Sequence, residues 1–133
     1  MSLDDFRHYF SLLFVCKYND DYVFNSLGFH YDKTGWYLFK MSVSHAGEYT
    51  IAISQKDKRC FPLSSNYNYS SCSISVAKVG TDGSPKVLKG EQGFMERDTY
   101  VEFLRDAPGQ LEQGDYFVWV KMDWHDTIPR YES

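Results

Sequence analysis

A chain of 133 residues with a net charge of −4, its acids and bases mixed rather than blocked, lacks the cationic footprint that a phosphate backbone requires; nucleic acid is excluded as its main partner. The length suits one domain whose core folds without staples, and an aromatic share of 18%, with eleven Tyr and ten Phe, favours strands and a ring-rich core over helical bundles. No apolar stretch approaches the ~20 residues of a transmembrane segment, and Leu12-Leu13-Phe14-Val15 ends at Cys16-Lys17. A cytoplasmic location is therefore expected. Cys16, Cys60 and Cys72 agree with it, being odd in number and without a C-x-x-C pair, and are expected as free thiols. Without a secretory signal, the sequon Asn68-Tyr69-Ser70 is treated as chance.

In chain order, Ser2 followed by Asp5 reads as an N-cap, and Phe6, Phe10, Leu13 and Phe14 recur at helical spacing, which predicts a short amphipathic helix. After the Asn19-Asp20-Asp21 turn the period changes to two. Strands are predicted over 22–29, 36–44, 48–55, 73–79, 85–89, 99–104 and 114–124, separated by Gly-rich or polar turns such as Asp32-Lys33-Thr34-Gly35, His45-Ala46-Gly47 and Thr81-Asp82-Gly83-Ser84. Tyr49, Ile51 and Ile53 form one face of the third strand, opposite Thr50, Ala52 and Ser54. In the last strand Tyr116, Val118, Val120 and Met122 oppose Phe117, Trp119 and Lys121, so both faces are largely apolar; such a strand lies centrally or has its outer side covered. The run 60–70, rich in turn residues and aromatics without a period, is long enough to carry a contact surface.

Motifs that carry chemistry are scarce. His8, His30, His45 and His125 show no zinc-ligand spacing, and there is no P-loop, dinucleotide-binding or nucleophile-elbow motif. Asp20 and Asp21 near the start and Asp123 and Asp126 at the end of the last strand supply oxygen ligands of the kind calcium takes, so calcium is the one cofactor the residues suggest; solvated loop acids are the plainer reading, with no cofactor at all. Trp36, Trp124, Tyr67 and Tyr69 would suit a carbohydrate-stacking platform, against the simpler reading that they fill and rim the core.

Three stretches, in order, carry a resemblance. Gln55-Lys56-Asp57-Lys58-Arg59 resembles the Gln-x-Asp-x-Arg signature of the β-sandwich that follows the protease core in calpains. Met1-Ser2-Leu3-Asp4-Asp5-Phe6, continuing to Tyr9-Phe10, is similar to the last helix of that core, and Leu111-Glu112-Gln113-Gly114-Asp115-Tyr116-Phe117-Val118-Trp119-Val120 to the sandwich's L-x-x-G-x-Y strand. The resemblance implies an all-β fold, an antiparallel sandwich of about eight strands with one short N-terminal helix. It divides the chain into a helix and connector over 1–18 and the sandwich over 19–133.

For function the resemblance implies a non-catalytic regulatory or interaction module of an intracellular calpain-like cysteine protease. Residues 55–59 would dock on the protease core, in cis or on another protein, and the loops would meet partners or anionic lipid. The nucleophile setting Gly-Asp-Cys-Trp, the base setting Gly-His-Ala and an Asn before Pro-Trp-Gly are all missing from this chain, so enzyme activity is not expected. The family's sandwich is similar to calcium- and phospholipid-binding sandwiches of the protein kinase C type, but the dense acidic loop often found there is missing here. The alternative is a stand-alone, cytoskeleton-associated scaffold related to calpains.

Overall fold

The computed structural model describes Ser2 and residues 20–29, 34–105 and 109–124, and the chain divides into two compact units, residues 1–30 and 31–133. The short helix predicted within the helix and connector over 1–18 lies outside the described residues, apart from Ser2. In the first unit Asp20 and Asp21 form a turn, and the chain then runs without regular structure through residue 29. The strand predicted over 22–29 is not formed. Its apolar residues do not alternate cleanly, and Val23, Phe24 and Leu27 are largely exposed, so the face that would drive burial is missing.

The second unit is all β and antiparallel among the described residues. Its strands are β1 (Trp36–Val43), β2 (Tyr49–Ser54), β3 (Ser71–Val79), β4 (Pro85–Gly93), β5 (Asp98–Phe103) and β6 (Gly114–Asp123). Four of them form one sheet in the order β1-β6-β3-β4, and β2 pairs with β5 in a second. The chain therefore passes from one sheet to the other between β1 and β2, β2 and β3, β4 and β5, and β5 and β6. Among the described residues, six strands stand where about eight were expected.

β6 lies centrally, between β1 and β3, which is one of the two placements its apolar faces allow. On one side Phe39 pairs with Val118 and Tyr37 with Val120; on the other Val76 pairs with Val118 and Ile74 with Val120. Val118, Val120, Val76 and Ile74, with Tyr116, Leu111 and Val101, belong to the buried core. The two sheets meet where the buried Cys72 Sγ donates to Thr99 Oγ1 at 3.1 Å, so β5 packs against β3 and the neighbouring end of β4.

β4 runs four residues further than its propensities predict, because its last stretch, Gly90-Glu91-Gln92-Gly93, is held by pairing with β3. A side chain at Gly93 would place its Cβ 1.9 Å from Thr99 Oγ1, so the close approach of β5 requires glycine there. The hairpin between β3 and β4 is the one its turn residues predict. Gly80 N donates to Ser84 O at 2.8 Å, Asp82 Oδ1 accepts from Ser84 N at 3.0 Å, and Gly83 takes a φ of 79° that favours glycine.

Candidate functional site

Residues 55–59 leave β2 immediately after Ser54, and contacts with other segments fix them in place. The Gln55 amide works as a clamp. Its Nε2 donates to Ser70 O at 2.7 Å and to Glu96 O at 2.9 Å, while its Oε1 accepts from Ser70 N at 2.8 Å. Gln55 N donates to Arg97 O at 2.8 Å. One side chain thus ties the end of β2 to the start of β3 and to the β4–β5 turn, and Ser70, its main partner, is buried.

Asp57 caps a short 3-10 turn over Lys58–Cys60 by accepting from Arg59 N at 2.9 Å. Both carboxylate oxygens are also bound by the Arg59 guanidinium, each at 3.0 Å, and Arg97 Nη1 reaches Oδ2 at 3.0 Å from the β4–β5 turn. Arg97 continues to Asp98 at 2.9 Å. The hydrogen bonds from Arg59, with a further one from Arg97, hold the Asp57 carboxyl well below the usual carboxylate range. A lowered folded value means that its contribution to stability is present at neutral pH and is lost only in acid, below a pH of about 4.

The loop that follows folds back over this segment. Phe61 and Tyr67 stack with centroids 4.1 Å apart, and Tyr69 meets Tyr67 edge-on at 6.0 Å. Lys56 Nζ lies over Phe61 at 5.0 Å and Lys58 Nζ over Tyr69 at 4.7 Å. Tyr67 Oη donates to Lys56 O at 2.9 Å, and Lys58 N donates to Tyr69 Oη at 3.3 Å. Burial pushes the Tyr67 phenol up. At the tip Leu63 is fully exposed beside Pro62.

The result is a cation–aromatic surface on a rigid base. Of the five residues singled out in the sequence, Lys56, Lys58 and Arg59 supply the cations, whereas Gln55 and Asp57, with the Arg59 guanidinium paired to Asp57, hold the base together. Arg97, Ser70 and the backbone of Glu96 belong to the same cluster. No local signal points to Arg97, which arrives from forty positions further along the chain.

The predicted acids are not gathered in this way. Asp20 and Asp21 are exposed in the first unit, Asp123 at the end of β6 pairs with Lys121 at 2.9 Å, and Asp126 lies outside the described residues. No group of three His, Cys, Asp or Glu side chains able to hold a metal occurs among the described residues. Calcium titration by calorimetry is expected to give weak binding or none. A sub-micromolar site on the free chain would overturn this reading of the acids.

Cys60 is exposed, Cys16 lies outside the described residues, and burial pushes the Cys72 thiol up, the reverse of what a thiolate nucleophile needs. The four rings that would suit one carbohydrate platform are divided. Trp36 stands on the outer face of the large sheet, edge-on to Trp119 at 5.7 Å, Trp124 meets Tyr37 at 6.4 Å, and Tyr67 and Tyr69 belong to the loop. No helix among the described residues is long and apolar enough to cross a membrane.

Comparison with models of protein families, with curated proteins and with solved structures finds no match to this chain.

Proposed function

We propose that this chain is a non-catalytic interaction module that docks through residues 55–59 and the loop folded over them. The observation that carries this reading is the division of labour within the five residues: Gln55 and Asp57 are spent on internal bonds, Lys56 and Lys58 are presented over the aromatic loop, and Arg59 does both, exposed while its guanidinium holds Asp57. A pre-organised cationic edge loses little conformational entropy when it meets an acidic surface. The resemblance to the sandwich domain of calpains gives the partner: an acidic face of a calpain-like cysteine protease core, with the family's sandwich of about eight strands and the N-terminal helix as the fuller form of the fold. A lipid contact through the same loop is favoured by one further observation, the fully exposed Leu63 at its tip.

The test is the triple replacement of Lys56, Lys58 and Arg59 by Ser. The variant is expected to keep its fold, because the clamp at Gln55 is untouched and exposed charges contribute little to stability. It is expected to lose binding to a calpain-like protease core in a pull-down, more strongly at low than at moderate salt. Binding to anionic vesicles but not to the core would transfer the site to lipid. Unchanged binding to both would make the cluster a solvated strand end.

A further inference from the structure

We infer that the free edge of β4 pairs with the same edge of a second copy, joining two large sheets across a twofold axis at Gly90. β4 ends the order β1-β6-β3-β4, and from Pro85 to Gln92 every residue is exposed, so no described segment covers its outer edge. An exposed strand edge is a template for another strand unless charge, proline or a bulge blocks it. Here the blocks leave one register open. Pro85 and the irregularity opposite Val76/Ala77 spoil the first half of the strand, so only the regularly paired stretch 89–92 remains.

Twofold antiparallel pairing of a sheet edge with itself keeps each face on its own side, which limits the central position to single residues. Centring on Lys89 would set two lysines directly opposite, centring on Glu91 would set two glutamates opposite, and centring on Gln92 would carry the pairing past Gly93, where the strand ends; all three are unfavourable. Centring on Gly90 sets Lys89 against Glu91 of the second copy, twice. The small residue falls at the crossing point, where its own Cβ position is already taken up by Ser75, 2.9 Å away. Lys89 uses one ammonium hydrogen on Glu102 O at 2.9 Å and keeps two for the carboxylate across the edge. Charge complementarity thus selects both the occupant, which is this same strand, and its register.

An edge-to-edge contact of this length falls in the small, weak class of interfaces, so the dimer forms at high concentration only. Sedimentation velocity of the full chain is expected to show a mass of 15.6 kDa when dilute, rising toward twice that value as the concentration approaches roughly 0.5 mM. Glu91→Lys and Lys89→Glu are each expected to weaken association by about tenfold or more, since each replaces two attractive cross-strand pairs by repulsive ones. An equimolar mixture of the two variants regains complementary pairs and is expected to associate like the parent. Far-ultraviolet circular dichroism of each variant checks that β4 is still formed. A parent chain that stays monomeric throughout overturns the inference. So does a dimer that both substitutions leave unchanged, or a mixture that stays as weak as its components.

Discussion

Tyr116→Ala is expected to destabilise the protein by about 3–5 kcal/mol, the largest loss expected of any single truncation in this fold. Tyr116 is 1% exposed, sits in the central strand β6 opposite Met41 on one side and Lys78 on the other, and fills the inward face with its ring. Its hydroxyl also closes a corner, donating to Glu112 O at 2.8 Å and accepting from Glu112 N at 3.1 Å. The two contributions separate by substitution. Tyr116→Phe removes only the corner and is expected to cost about 1 kcal/mol, whereas the alanine variant adds a ring-sized cavity. Urea unfolding of both, beside an exposed control such as Lys86→Ala, reads the difference. Equal midpoints for the Phe and Ala variants would mean that the ring is not part of the core.

Gln55→Ala is expected to cost about 2–4 kcal/mol, more than any truncation of its charged neighbours. It strips partners from Ser70 N, Ser70 O and Glu96 O at once, and Ser70 is buried, so water does not readily replace them. Gln55→Glu is the sharper test, because it keeps the shape and replaces the donor by an oxygen facing two carbonyls. A carboxylate held there has its pKa raised, and a raised folded value contributes stability below the unfolded value that is lost as pH rises through the folded one. The glutamate variant is therefore expected to be clearly less stable than the parent at pH 7 and to approach it near pH ~4, the ordinary range of a glutamate. A glutamate variant as stable as the parent at both pH values would show that Gln55 acts by size alone. If Gln55→Ala unfolds at the parent's midpoint, the clamp is incidental, and the site has no rigid base.

These outcomes bear on the proposed docking in different ways. Loss at Gln55 with binding lost in parallel would tie the cationic surface to the clamp beneath it. Binding lost in the Lys56, Lys58 and Arg59 variant with stability retained would assign the contact to the cations themselves. The second pattern is expected, since Arg59 donates to Asp57 from an exposed position and Arg97 still holds the carboxylate when Arg59 is removed.

Much of the β unit was legible in the residues because alternation is a local property. Tyr49, Ile51 and Ile53 turn inward and Thr50, Ala52 and Ser54 outward in β2, as their chemistry requires, and the hairpin at Gly83 follows from Asp82 and the glycine's positive φ. The two largely apolar faces of residues 116–122 leave open whether that strand lies centrally or has its outer side covered; the strand order decides for the centre, with Trp119 exposed on the outer face. Local pattern failed where burial is decided by distant segments. The run 22–29 has strand-forming residues but buries no face, and the second half of β4 has poor strand formers yet pairs fully, because β3 supplies the ladder and Thr99 takes the space a side chain at Gly93 would need. The candidate site divides in the same way. Its cations and its aromatics were readable as residue types close together in the chain. The clamp of Gln55 on Ser70 and Glu96, and the meeting of Arg97 with Asp57, depend on the antiparallel pairing of β2 with β5, which sets Ser54 opposite Asp98 and so brings the end of β2 beside the β4–β5 turn, and no local spacing encodes such a contact.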